Sequence, residues 1–220
     1  MKKIITPDGS VTFHNEQFDE SYHSRSGAKE EAVKKFVEPC HIKESAKKGK
    51  IRILDVCFGL GYNSVAAIDA ALEEDPNCII EVVGLEIDPK ILQAITEIDA
   101  PFTNFSMIQE AVKNKDNNRY KYEKENIKIE ILLGDATETI KEIEQEFDVV
   151  FLDPFSPKKC PQLWTAPFFA EIYKRMAPQA RLATYSCARV VRDNLKAAGF
   201  IVSDGPQLWR RGPSTIAVKE

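Results

Sequence analysis

The chain has 220 residues, 43% of them hydrophobic, and 30 basic against 34 acidic side chains leave a net charge of −4. That size and apolar content suit one large domain with a full core, and the charge balance excludes a strongly basic, nonspecific nucleic-acid binder while leaving room for a local basic patch. No apolar run approaches the roughly 18 residues of a membrane helix, and five scattered cysteines (40, 57, 78, 160 and 187) with no Cys-x-x-Cys pair argue for a reducing cytoplasm, without a disulfide framework or a metal site.

In chain order, Ile4-Ile5 and residues 11–13 flank Pro7-Asp8-Gly9, whose Asp-Gly pair supplies the backbone of a tight turn and predicts a β-hairpin. A polar stretch follows at 15–27. Residues 28–37 then read as a helix with Ala32, Val33, Phe36 and Val37 on one face, and 43–50 as a basic connection. Residues 1–50 are thus expected to form a hairpin and helical extension packed on a main domain of residues 51–220. In that domain, short apolar runs at 51–56, 79–85, 127–133, 147–152 and 181–185 alternate with helical periods at 64–73, 89–98, 136–143, 167–176 and 188–198. Apolar strands without alternation, separated by helices, imply an α/β fold with a parallel sheet covered on both faces. Two last strands, 200–203 and 215–219, have no helix between them and predict a C-terminal antiparallel hairpin on a seven-stranded, mostly parallel sheet. The polar run 113–126 reads as a solvated insertion.

In an open parallel sheet the ligand lies beyond the carboxyl ends of the strands, near the switch point. After the first strand comes Asp55-Val-Cys-Phe-Gly59-Leu-Gly61-Tyr-Asn63. Its glycines let the backbone approach a ligand. Ser64 stands where the dinucleotide fingerprint needs a third Gly or Ala, and no phosphate-binding Gly-Lys-Ser/Thr follows. An acidic strand end suits a cationic ligand better than a pyrophosphate, and S-adenosylmethionine (SAM) carries both an ammonium and a sulfonium. The second strand ends Gly84-Leu-Glu86-Ile-Asp88-Pro89, where Glu86 is the candidate ribose ligand and Asp88 with Pro89 a helix start. The third ends Gly134-Asp135-Ala136, putting a carboxylate beside where adenine would lie, although Asp135 serves equally as a helix N-cap.

The fourth strand ends Asp153-Pro-Phe-Ser-Pro157, at the centre of the sheet's edge. A carboxylate and backbone carbonyls there are acceptors without donors. They suit an amine nucleophile, holding its N–H groups, aiming its lone pair at a sulfonium methyl and taking its proton. Phe155 is placed either to stack on a planar base or to fill the core. After the fifth strand Ser186 reads as a helix cap, and Cys187 has no activating base nearby. Lys158, Lys159, Arg189, Arg192, Arg210 and Arg211 gather beyond this edge as a rim able to bind the phosphates of a polynucleotide.

Thr6-Pro-Asp-Gly-Ser10, Tyr22-His-Ser-Arg-Ser-Gly27-Ala, Phe58-Gly-Leu-Gly-Tyr-Asn63, Asp153-Pro-Phe-Ser-Pro157, Pro161-Gln-Leu-Trp-Thr165 and Leu182-Ala-Thr-Tyr-Ser186 together resemble the methyltransferase domain of the bacterial bifunctional tRNA 5-methylaminomethyl-2-thiouridine biosynthesis proteins, the MnmC type. The resemblance runs from near residue 6 to near 218. It implies a Rossmann-like class I SAM-dependent methyltransferase, with tRNA as partner, that methylates the aminomethyl nitrogen on a wobble (2-thio)uridine. It also implies a cofactor site of Tyr22, Ser24, Asp55, Phe58, Gly59, Gly61, Asn63, Glu86, Ile87, Asp135, Ala136 and Asp153, with Asp153, Pro154 and Phe155 at the reacting centre. Two departures stand out. Cys57 occupies the first glycine position of the family's acidic-x-Gly-x-Gly-x-Gly loop, and these residues include no flavin-dependent oxidase domain. The expectation is therefore SAM without FAD, with a partner enzyme supplying the aminomethyl intermediate. Two other readings remain: aminopropyl transfer from decarboxylated SAM, as in spermidine synthases, and a non-catalytic SAM-binding subunit that recognises RNA.

Overall fold

The computed structural model describes residues 2–23, 27–208 and 212–220. Lys2–Ile5 (β1) and Val11–Asn15 (β2) form the expected hairpin, paired from Lys2↔His14 to Ile5↔Val11, and Glu20–Ser21 (β3) adds a short third strand against β2. Asp8 organises the turn. Its Oδ1 accepts from Thr6 Oγ1 at 2.7 Å and Ser10 Oγ at 2.6 Å, and its Oδ2 accepts the Lys29 N–H at 3.0 Å. One carboxylate thus closes the hairpin and satisfies the first turn of the helix Ala28–Ala32 (α1), whose start leaves N–H groups without intrahelical partners. A π-helical turn, Val33–Val37, continues α1, and Ile42–Ala46 (α2) forms a short helix inside the stretch expected to be a plain connection.

Strands and helices then alternate: Lys50–Val56 (β4), Tyr62–Glu74 (α3), Ile79–Glu86 (β5), Pro89–Ile95 (α4), Phe105–Lys113 (α5), Lys115–Asp116 (β6), Arg119–Lys124 (β7), Ile127–Leu133 (β8), Ala136–Thr139 (α6), Phe147–Leu152 (β9), Ala166–Lys174 (α7), Met176–Thr184 (β10), Arg189–Ala197 (α8), Ile201–Asp204 (β11) and Thr215–Val218 (β12). The sheet order is β11-β12-β10-β9-β4-β5-β8-β7-β6, with β10, β9, β4, β5 and β8 mutually parallel. The last two strands pair antiparallel as expected, β12 lying between β11 and β10. Strand order reverses between β4 and β9, so the switch point lies where the glycine turn and the Asp153 loop leave the sheet.

Successive residues of β4 feed opposite layers. Ile51 and Ile53 join the apolar layer under α1–α5, and Leu54 and Val56 the layer under α6–α8. Burial on both faces is why these strands read as continuous apolar runs. Val11, Phe13, Ala28 and Phe36 of the N-terminal hairpin and helix belong to the first of these layers.

The stretch 113–126 is corrected from a solvated insertion to the edge of the sheet. β7 runs antiparallel to β8, with Tyr120 opposite Ile131 and Tyr122 opposite Ile129, and β6 continues the hairpin, so the sheet has nine strands among the described residues. Tyr120 is buried while Lys121 and Glu123 are exposed; this is a period-2 strand whose charged face obscures it. Among the described residues no helix is long and apolar enough to cross a membrane.

Gly84 of β5 is required by packing. A Cβ there would lie 2.5 Å from the Phe58 ring, which is 3% exposed and also packs against Gly61. Gly84→Ala is expected to cost about 2 kcal/mol, read as a lower urea midpoint at unchanged slope; an unchanged midpoint would show that the ring yields freely.

Candidate functional site

A cavity of about 350 Å³ opens beyond the carboxyl ends of β4, β5, β8 and β9, closed on one side by residues 18 and 20–23. Of the residues expected at the site, Tyr22, Phe58, Gly59, Asn63, Glu86, Ile87, Asp135, Ala136, Asp153, Pro154 and Phe155 line it. Asp55 and Gly61 do not, and Ser24 lies outside the described residues.

The turn after β4 is held in left-handed backbone at Cys57 (φ 67°), Gly59 (φ 56°) and Gly61 (φ 73°). Gly61 makes room for protein, since a Cβ there would meet the Phe58 ring at 2.7 Å. Asp55 is fully buried beneath the turn; Ser64 Oγ donates to its Oδ2 at 2.6 Å, and its Oδ1 has no hydrogen-bond partner. Burial raises the Asp55 pKa well above the usual carboxylate range. Asp55 therefore supports the turn from behind, and Gly61 accommodates Phe58, where both were expected to reach the ligand.

Glu86, 5% exposed, collects three backbone N–H groups: Gly59 at 2.7 Å on Oε2, and Ile87 at 2.9 Å and Asp88 at 2.8 Å on Oε1. Burial pushes its pKa up to about 7, against those three bonds, which lower it. Asp88 caps α4 through the Lys90 N–H at 2.9 Å and accepts from Tyr22 Oη at 3.0 Å, while Asn15 Nδ2 donates to Tyr22 Oη at 3.0 Å. Asp135 caps α6, accepting from Thr137 N at 2.9 Å and Oγ1 at 2.8 Å. Beside it Ile87 is 54% exposed, an apolar side chain turned to the cavity rather than the core.

At the switch point Asn63 Nδ2 donates to Asp153 Oδ2 at 3.0 Å, orienting that carboxylate. The neighbouring carbonyls are already engaged: Tyr185 Oη donates to Pro154 O at 2.9 Å, and Trp164 Nε1 to Phe155 O at 2.8 Å. Phe155 O also accepts from Cys160 Sγ at 2.8 Å, whereas Pro154 O keeps a second lone pair beside the Asp153 carboxylate. Phe155 stacks on Phe18 (centroids 4.8 Å, 28°) and leans on Tyr22 (5.1 Å). Glu20 clamps the same loop, accepting the Ser156 N–H at 2.8 Å and the Ser156 hydroxyl.

The cavity also gathers residues the sequence reading did not single out as site residues: Phe18, Glu20, His23, Glu31, Cys160 and Tyr185. Most come from the N-terminal extension. Their signal was the Tyr22-His23 and Glu30-Glu31 polarity beside an apolar helix face, which resembles ordinary surface until the chain folds back over the sheet.

In the basic rim, Lys158 and Lys159 are exposed, Lys159 lying 3.8 Å from Asp19, and the Arg189 side chain is 95% exposed. Arg192 is corrected from a phosphate contact to a structural pin. Its guanidinium donates to Thr215 Oγ1 at 2.9 Å, Asp204 Oδ1 at 2.6 Å and Ser214 O at 3.1 Å, joining α8 to the terminal hairpin. Arg210 and Arg211 lie outside the described residues.

Residues 100–220 match a family model described as S-adenosyl-L-methionine-dependent methyltransferase. The crystal structure of MNMC2 from Aquifex aeolicus superposes with a TM-score of 0.85 at 34% identity, covering 98% of this chain and 69% of that one. An uncharacterized protein of Methanocaldococcus jannaschii is 36% identical over 98% of this chain and 59% of its own length. The tRNA 5-methylaminomethyl-2-thiouridine biosynthesis bifunctional protein MnmC of Ralstonia nicotianae is 27% identical over 97% of this chain and 33% of its own length. The chain thus spans only part of the length of these curated relatives.

Cys57 carries the strain of a side chain in left-handed backbone, a conformation that β-branched residues tolerate worst. Cys57→Val is expected to cost about 2 kcal/mol and Cys57→Gly to add about 0.5 kcal/mol of stability. Chemical denaturation checks both, and a Val variant as stable as the parent would remove the strain argument.

Proposed function

The chain belongs to the S-adenosyl-L-methionine-dependent methyltransferase family, as a methyltransferase domain of the MnmC type, and we propose that it methylates the nitrogen of the 5-aminomethyl group on a wobble (2-thio)uridine of tRNA, giving 5-methylaminomethyl-(2-thio)uridine. The observation that carries the reading is the Asp153 carboxylate, oriented by Asn63, on the wall of the same cavity that Glu86 and the glycine turn line. The names of the MnmC relatives supply the substrate class.

The cavity fits the cofactor on its own chemistry. Its volume suits a ligand of this size. Ile87 and Ala136 offer adenine an apolar bed beside Asp135. Glu86 retains acceptor capacity on Oε2 for a ribose hydroxyl, since a carboxylate has about four acceptor sites and three are used. When bound, SAM supplies an electrophilic methyl group on its sulfonium. Asp153 would hold the acceptor amine by its N–H groups and take the proton that the nitrogen loses as it gains the methyl from the sulfur, which leaves the carboxyl neutral. Positioning by Asn63, with the Phe18–Phe155 stack limiting water, provides the rest. Lys158, Lys159 and Arg189 hold tRNA phosphates at the rim, and the sequence adds Arg210 and Arg211 as candidates for the same role. A separate activity supplies the aminomethyl group.

The ribose hydroxyl at this site must donate to an ionised Glu86. Its pKa is raised to about 7, so below that pH binding must expel a proton, and affinity falls as pH falls. Calorimetry should show SAM binding about tenfold weaker at pH 6 than at pH 8, and a flat, weaker profile for Glu86→Gln; a flat parent profile would remove Glu86 from the ribose site. Mass spectrometry of nucleosides after incubation with SAM and tRNA bearing aminomethyluridine should show one added methyl on that nucleoside. Asp153→Ala should lower turnover about a hundredfold or more while leaving SAM affinity within a few fold. If the aminomethyl nucleoside gains no methyl while another substrate does, the proposed function fails.

A further inference from the structure

Phe18 differs from the neighbouring rings of the cavity wall. It is half-buried yet joins neither apolar layer of the fold, whereas Tyr22 packs on the first layer and Phe155 on the second. Its backbone is held by Asn15, whose Oδ1 accepts the Gln17 N–H at 3.0 Å and the Phe18 N–H at 3.3 Å. Its ring lies on Phe155, two positions after Asp153, and so adds an aromatic face to the cavity beside the Asp153 loop.

Gln162 lines the same cavity from the 3₁₀ turn Pro161–Trp164, where it is exposed. Its backbone carbonyl accepts from Thr165 Oγ1 at 3.1 Å, but its carboxamide makes no hydrogen bond among the described residues. Cys160 Sγ and Trp164 Nε1 both donate to Phe155 O at 2.8 Å, so the turn that carries the amide is fixed to the residue that carries the ring. Ser21 also lines the cavity, and its hydroxyl makes no hydrogen bond among the described residues. A carboxamide, however, presents a donor and an acceptor side by side in one plane. That pair matches the imide edge of a pyrimidine, an N–H flanked by carbonyl groups. The carboxylates of the wall can accept the N–H but give nothing to a carbonyl oxygen. Lys158 and Lys159, three and four positions beyond Phe155, are exposed at the rim. An aromatic face, a planar amide and a cation are what an unstacked nucleotide needs, for its base, its edge and its phosphate.

We propose that the target base leaves its loop and seats on Phe18, with the Gln162 carboxamide on its imide edge. Gln162 Oε1 accepts the N3–H of the uracil ring, and Nε2 donates to the C4 carbonyl, the one beside the carbon that bears the aminomethyl arm. With that edge on Gln162 the arm is free to face Asp153, and the C2 position, oxygen or sulfur, stays outside the contact. This rests on the aminomethyluridine reading and adds the residues that hold the base. Phe18 and Gln162 act in substrate binding, so their loss shows in KM for tRNA rather than in SAM affinity.

The test compares methylation of tRNA bearing 5-aminomethyluridine with the same tRNA methylated in addition at N3 of that base, which removes the N–H. The unmodified protein should show a KM about tenfold or more higher for the N3-methylated tRNA, the scale of a lost hydrogen bond. Gln162→Ala should treat the two within about twofold of each other, because the group that reads N3 is gone. Phe18→Leu, which keeps apolar volume but not a ring, should raise KM for tRNA about tenfold, and Phe18→Trp should restore it. SAM affinity should stay within about twofold in all three variants. The base seat is overturned if the unmodified protein ignores N3 methylation, a comparison that needs no variant. It is overturned equally if Gln162→Ala still discriminates as the parent does, or if Phe18→Leu keeps the parent KM. If aminomethyluridine in tRNA gains no methyl at all, the failure lies in the proposed function and takes this inference with it.

Discussion

One side chain ties the site together: Glu86, whose carboxylate gathers the N–H groups of Gly59, Ile87 and Asp88 at the end of β5. Without it, the left-handed turn after β4 would keep only the Phe58 N–H bond to Leu85 O across to β5, and Asp88 would lose a backbone bond beside the position from which it caps α4. A carboxylate nearly buried among amides is stable only while those bonds persist, because an unpaired buried charge is costly. The turn, the second strand end and the acceptor offered to the cavity therefore stand or fall together. The Phe58 ring wedged against Gly61 and Gly84 completes the unit from the apolar side.

The second constraint is the N-terminal extension. Tyr22 reaches Asp88, Glu20 grips Ser156, and Phe18 stacks on Phe155, so residues 18–23 bridge the end of β5 and the Asp153 loop across the cavity. This couples the half of the cavity that Glu86 and Ile87 line with the half that carries Asp153. The bridge rests on a few polar bonds and two ring contacts rather than on a broad apolar face. That composition belongs to a segment at the low end of local stability.

The core of the fold was legible because its strands are buried on both faces and its helices keep a clear period. The strand ends were legible too, since Glu86 and Asp153 follow apolar runs at the sheet's switch point. The edge hairpin at 115–124 was not: Lys121 and Glu123 alternate with Tyr120 and Tyr122, and the net impression is polar. Nor could a linear reading separate the two uses of a glycine. Gly59 sits at the cavity, while Gly61 and Gly84 yield space to Phe58, a distinction that exists only once the ring is packed. Arg192 shows the same limit for charge, since three partners in the terminal hairpin hold in place a guanidinium that looks available in the sequence. His23 and Glu31 were hidden for another reason: they reach the cavity from an extension about thirty positions before the first glycine of the turn.

The central claim is that one cavity, between the ends of β4, β5 and β9 and the N-terminal bridge, holds the adenosyl cofactor with its sulfur facing Asp153. A crystal structure of the protein with S-adenosylhomocysteine tests it most directly. The account predicts adenine on Ile87 beside Asp135, a ribose hydroxyl on Glu86 Oε2, and the sulfur directed toward the Asp153 carboxylate. Density for the ligand elsewhere, or in this cavity with its sulfur turned away from Asp153, would contradict it.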